Sequence, residues 1–129
     1  MAEQPEGRLQ RRLQKLVEAR GGYLPKKNHG NMITVKGLSD LSFTFKGWSV
    51  YWEVKLPETK NNVSVAQGIH MRLARKAGGI TAIISTLEQA AIILDWLEQC
   101  YDKEYNIQQI FNDIDEFYRR NNLDDGTKY

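Results

Sequence analysis

Between Leu41 and Val54 the sequence alternates apolar and polar residues in two runs separated by Lys46-Gly47. Leu41, Phe43 and Phe45 interleave with Ser42 and Thr44, and Trp48, Val50, Trp52 and Val54 interleave with Ser49, Tyr51 and Glu53. A period of two predicts strands with one buried face, and a two-residue break predicts a tight hairpin. Pairing Phe45 with Trp48 sets Phe43 opposite Val50 and Leu41 opposite Trp52, so that each apolar residue meets another. The same register sets Asp40 opposite Glu53, on the polar face with Ser42, Thr44, Ser49 and Tyr51. A three-residue turn with a bulge at Gly47 is the alternative, and it would shift the pairing by one residue.

The flanking segments read as helices and one more strand. Leu9, Leu13, Leu16 and Val17 follow Pro5 at helical spacing and stop at Gly21-Gly22, and the other side of this helix carries Arg8, Arg11, Arg12 and Lys15. Pro57 ends the second hairpin strand, and a polar loop leads to Ser64-Val65-Ala66-Gln67, a capping box opening a helix that runs to Gly78-Gly79. Residues 80–84 form a short apolar strand. Thr86-Leu87-Glu88-Gln89 is a second capping box, opening a helix to about Cys100. Strand, helix, strand, helix after a hairpin implies an α/β fold whose mixed sheet has helices on both sides. A last helix follows from Ile107, Ile110, Phe111, Ile114, Phe117 and Tyr118, whose apolar side is expected to pack on the same domain or at a dimer interface. Residues 124–129 are polar and expected to fray.

Length and composition restrict the function classes. At 129 residues, with 41% hydrophobic and 26% charged residues, the chain suits one domain with one core and excludes a separate cofactor-binding half. The single cysteine, Cys100, excludes an internal disulfide, and with only His29 and His70 beside it no structural zinc set is expected. A reducing, cytoplasmic setting follows. Residues 1–7 hold two glutamates and no apolar stretch, and the longest apolar run, 90–94, is far short of the roughly 20 residues that span a bilayer, so neither signal peptide nor membrane partner is expected. The charge is uneven: residues 1–80 hold 14 Lys and Arg against 6 Asp and Glu, a net +8, whereas residues 81–129 come to −6. A basic first part suits a polyanion, and Arg8, Arg11, Arg12, Lys26, Lys27, Lys36, Arg72, Arg75 and Lys76 are the candidate phosphate contacts.

The chemistry rests on the hairpin register. Directly opposed cross-strand residues have Cβ atoms about 4.5–5.5 Å apart, so Asp40 and Glu53 stand as neighbouring carboxylates. Such a pair either holds a proton or binds a hard divalent cation, and all-oxygen ligands suit Mg²⁺ or Mn²⁺. Lys55, two residues past Glu53, projects from the same face, where an ammonium can orient a water or offset charge on a phosphate. Two acids, a cation and a lysine form a phosphodiester hydrolysis site. Against this stands the plain reading of a solvated hairpin face with Lys55 as neutralising partner. Gln67 is already accounted for as the capping residue of its helix, and Glu6 as a first-turn acid that complements the helix dipole.

The order Glu6, Leu9-Gln10, Gly37-Leu38-Ser39-Asp40, Glu53-Val54-Lys55, Gln67, Ala77-Gly78-Gly79 resembles the virus-type replication-repair nuclease (VRR-NUC) domain of the PD-(D/E)XK superfamily. The resemblance covers residues 5–94, and Ser39 stands where the family usually has proline. It implies a restriction-endonuclease-like core with residues 1–100 as the nuclease domain, and residues 101–129 are read as a C-terminal helical extension outside the pattern. It further implies Mg²⁺- or Mn²⁺-dependent endonuclease cleavage of duplex or branched DNA, as in a Holliday-junction resolvase, by a homodimer, within a bacterial host if the chain is of phage origin. Carried onto this sequence, Asp40, Glu53 and the Val54 backbone carbonyl are metal ligands, Lys55 acts on the water, and Gln67 and Glu6 support the site. The alternative is a non-catalytic nucleic-acid-binding module with the same fold.

Overall fold

The computed structural model describes residues 4–25, 39–104 and 106–129. Helix α1 (Pro5–Ala19) is followed by strands β1 (Leu41–Phe45) and β2 (Trp48–Val54), a 3-10 turn (Pro57–Thr59), helix α2 (Val65–Lys76), strand β3 (Ile80–Ile84) and helices α3 (Leu87–Asp102) and α4 (Ile107–Arg120). Among the described residues the sheet has three strands in the order β1-β2-β3. β1 and β2 are antiparallel with Phe45 opposite Trp48, Phe43 opposite Val50 and Leu41 opposite Trp52. The bulged alternative does not form. Lys46 and Gly47 both take positive φ, 51° and 83°, which gives a two-residue turn of the type whose twist matches the strands. β3 runs parallel to β2 through α2, with Glu53 opposite Ile83.

Alternation sorts the two faces of this sheet. Leu41, Phe43, Phe45, Val50, Trp52, Val54, Ile80, Ala82 and Ile84 are buried with Leu13 and Val17 of α1 and Ala90, Ile93, Leu94 and Leu97 of α3. Trp52 is fully buried at its centre, edge-on to Phe43 with ring centroids 4.8 Å apart, and truncating such a side chain to alanine costs about 3–5 kcal/mol. The opposite face carries Tyr51, Glu53, Thr81 and Ile83 and is covered by α2, where His70 meets the Tyr51 ring at 5.8 Å. Among the described residues four helices therefore flank a mixed sheet on both sides, and none is long and apolar enough to cross a membrane.

Helix α4 and the residues after it are tied to the same sheet. Ile110, Ile114 and Tyr118 of α4 are buried, Phe117 stacks on Trp96 of α3 at 4.4 Å, and the Tyr118 hydroxyl donates to the Thr81 carbonyl at 2.7 Å. Among the described side chains, Ile110, Ile114, Phe117 and Tyr118 on the apolar side of α4 are thus covered within their own chain. Residues 124–129 do not fray. The Ile83 N–H donates to the Asp124 carbonyl at 2.8 Å, the Thr81 hydroxyl donates to the Asp125 carbonyl at 2.7 Å, and Gly126 is buried. A polar segment held through its backbone has no apolar signature, which is why its sequence reads as loose.

Candidate active site

Asp40 immediately precedes β1 and Glu53 is the penultimate residue of β2, so the hairpin register brings both onto the Tyr51 face. Asp40 Oδ2 accepts a 2.9 Å hydrogen bond from the Val54 N–H, standing in for the strand acceptor that β1 no longer supplies. In an extended strand the N–H and C=O of one residue point to the same side, so the Val54 carbonyl also faces the side on which Asp40 lies. The Lys55 N–H turns the other way, donating to the Ile84 carbonyl at 3.0 Å, and this anchors the end of β2 to β3. The Lys55 ammonium returns to within 3.7 Å of Glu53 Oε1, and the two side chains are 15% and 2% exposed.

α2 supplies the next contact. The Ser64 side chain accepts from the Gln67 N–H at 3.1 Å, and Gln67 Oε1 accepts from the Ser64 N–H at 2.9 Å, completing the capping box. That bond fixes which way the amide faces, because its oxygen must meet the N–H. Nε2 is left to donate to Glu53 Oε1, and does so at 2.6 Å. The cap and the contact with Glu53 are therefore compatible; one amide makes both. Glu6, in the first turn of α1, lies close enough for its charge to act on Glu53.

Glu53 is the electrostatic centre. Burial pushes its carboxyl up to about 8 from an ordinary 4.5; the neighbouring Asp40 carboxyl pushes the same way, Lys55 opposes, and Glu6 adds a smaller upward push. Oε2 is buried with no hydrogen-bond donor. Two acceptors side by side, one of them lacking a donor, can be reconciled by a shared proton or by a cation. Among the described residues no group of three or more His, Cys, Asp or Glu side chains is arranged to hold a metal. The available donors here are two carboxylates and a backbone carbonyl, oxygen ligands of the kind that hard divalent ions accept, with waters completing the shell.

Asp40, Glu53, Lys55 and Gln67 are thus brought together, with Glu6 nearby. The basic candidates divide. Arg8, Arg11 and Arg12 on α1 and Lys76 at the end of α2 are exposed. Arg72, also exposed, donates to the Tyr129 carbonyl, and Arg75 pairs with Asp115 at 3.5 Å and lies over the Phe111 ring at 5.5 Å. Both arginines are engaged within the chain, a fact that counting charges does not reveal. Lys26, Lys27 and Lys36 lie outside the described residues. Ser39, where the resemblance expects proline, is buried with its hydroxyl 4.0 Å from the Met71 sulfur of α2. His70 is half-buried, and burial holds its imidazole below the ordinary range. It packs on Tyr51, while the Glu53 oxygen is reached from the preceding turn by Gln67. No family model matches the chain, and neither the curated proteins nor the solved structures contain a match.

Proposed function

We propose that this chain is a divalent-metal-dependent nuclease of the VRR-NUC type, with a restriction-endonuclease-like core, that hydrolyses DNA phosphodiesters. The observation that carries the reading is the Glu53 carboxyl: buried, beside Asp40, with Lys55 and Gln67 on one oxygen and no donor on the other. Burying one acid beside a second, half-buried one is costly, and a structural role for them would be served more cheaply by an apolar pair. Asp40, Glu53 and the Val54 carbonyl would hold Mg²⁺ or Mn²⁺, which when bound lowers the pKa of water and offsets negative charge on a phosphate.

The chain's own residues do the rest. Asp40 is held rigid by the Val54 N–H, so its free oxygen needs no reorganisation to meet a ligand. Gln67 fixes the Glu53 rotamer. Lys55, mostly buried against Glu53, keeps a positive charge where a phosphodiester gains negative charge in the transition state, and it orients the attacking water. Exposed Arg8 and Arg12, on the helix that also carries Glu6, supply phosphate contacts that position a duplex without reading its sequence. A two-fold dimer would present two such sites to a branched substrate. With Ile110, Ile114, Phe117 and Tyr118 of α4 covered, the exposed apolar residues left for that contact include Val65, Ile69 and Leu73 of α2.

The test is incubation with linear, nicked, flapped and four-way DNA, in Mg²⁺ or in EDTA, with the cuts mapped. Cleavage in Mg²⁺ that leaves 5′-phosphates, stops in EDTA and falls on the order of 100-fold or more in Asp40→Asn and Lys55→Ala is expected, with DNA binding retained. DNA binding without cutting, insensitive to Mg²⁺ beyond ionic screening and to both substitutions, would replace this reading with the non-catalytic module.

A further inference from the structure

Residues 124–129 bond to all three segments that frame Glu53. The Asp124 carbonyl accepts from the N–H of Ile83, the residue directly opposite Glu53 in the β2–β3 register. The Tyr129 hydroxyl donates to Asp124 Oδ2 at 2.8 Å and lies 3.2 Å from Asn61 Oδ1, in the connection between Lys55 and α2. The Tyr129 carbonyl accepts from Arg72 and rests on Gly68, the residue after Gln67. A Cβ at position 68 would stand 2.5 Å from that oxygen, so the helix is bare there because Tyr129 occupies the space. Between these anchors Gly126 is seated on Met71 of α2 and Ile83 of β3.

We propose that residues 124–129 form a positioning strap, which holds α2 down on β3 so that the Gln67 amide stays on Glu53. The physical reason lies in the length of that bond. α2 is joined to β2 by a ten-residue connection and exposes Val65, Ile69 and Leu73 on its outer side, so its N-terminal half has little apolar burial of its own. A donor–acceptor distance of 2.6 Å tolerates a shift of a few tenths of an ångström before it weakens. The strap crosses α2 at Gly68, Met71 and Arg72, within two turns of Gln67, and fixes the helix where such a shift would otherwise begin. The inference rests on the nuclease reading only for what the contact serves; the contact itself is tested without metal or DNA.

The experiment follows the Gln67 side-chain amide by NMR in the ¹⁵N-labelled full chain, the resonance being assigned by its disappearance in Gln67→Ala. In the parent chain its protons should be shifted by the carboxylate and exchange slowly. In a chain shortened to end at Asp124, and in Gly68→Ala, the resonance should move to the position of exposed glutamine amides and exchange about tenfold faster or more. Backbone amides of the β1–β2 hairpin should stay in place, which separates release of α2 from general unfolding. Arg72→Ala should give part of the change and Arg72→Lys should restore the parent spectrum. An unmoved Gln67 resonance in the shortened chain with the hairpin intact overturns the proposal. Should the shortened chain not fold, Arg72→Ala decides: a parent-like Gln67 resonance there overturns it equally. Because this readout involves no cleavage, the strap stands or falls apart from the nuclease reading.

Discussion

α2 and α3 open on the same motif and end up with different duties. Ser64 and Gln67 cap α2 by the reciprocal pair of bonds with which Thr86 and Gln89 cap α3. Each glutamine turns its oxygen to backbone N–H groups, Gln67 to Ser64 and Gln89 to Ser85 at 2.7 Å and Thr86 at 3.2 Å. What separates them is what lies under the amide nitrogen. Beneath Gln67 it is the buried Glu53 carboxyl. A capping box thus fixes an amide in space at no cost to the helix, and its position over the sheet decides whether the leftover donor meets a buried acid.

The pH dependence of stability tests this difference most strongly. Glu53 titrates near 8 in the folded chain and near 4.5 when unfolded, so between these values the folded state retains a proton that the unfolded state has lost. The contribution of this group to stability is therefore full below about 4.5 and is lost as pH rises through 8, by at most about 1.4 kcal/mol per pH unit. Thermal melts from pH 5 to 8 should show the decline, Glu53→Gln should flatten it, and Mg²⁺ should reduce it by favouring the ionised pair. The Gln67 donor favours the ionised carboxyl, so Gln67→Ala should push the midpoint still higher, while Gln89→Ala leaves it in place. A pH-independent parent chain would remove the buried acid from the account.

The alanine pair asks the same question of catalysis. Losing either capping glutamine should cost a similar modest stability, about 0.5–1 kcal/mol. Cleavage should fall about 10–100-fold in Gln67→Ala, the size of effect seen when the hydrogen-bond partner of a metal ligand is removed, and stay within about twofold in Gln89→Ala. Equal losses in both would reduce Gln67 to a cap.

The comparison also marks how far the sequence can be read. The hairpin register was legible because alternation over two strands admits one pairing that buries all the apolar residues, and from that pairing the meeting of Asp40 and Glu53 followed. The capping boxes were legible because they are local, four residues long and chemically reciprocal. Local motifs are blind to the rest of the fold, and so the four residues of the capping box show the cap but not the contact that Gln67 makes with Glu53. The bonds that engage Arg72 and Arg75 within the chain depend on α4 and the last residues lying beside α2, a long-range fact with no periodicity to announce it. The segment 124–129 read as frayed for a related reason: backbone carbonyls hold it, and they are the same in every sequence.

The smallest effect separates the two caps most cleanly, because it leaves both helices intact. Glutamate suits the third position of a capping box as well as glutamine does, so Gln89→Glu should keep α3 capped and gain a few tenths of a kcal/mol from the helix dipole. Gln67→Glu keeps the same cap but replaces the donor on Glu53 Oε1 with a third acceptor beside two carboxylates. Without divalent ion it should lower stability by about 1 kcal/mol, since a hydrogen bond becomes a like-charge contact. Added Mg²⁺ or Mn²⁺ should then stabilise Gln67→Glu more than it stabilises the parent, because the extra carboxylate faces the same ion, and should leave the Gln89→Glu increment unchanged. Denaturation curves of the two variants with and without the ion measure this directly. A Gln67→Glu chain indifferent to divalent ions would mean that the acids around Glu53 share a proton rather than a metal.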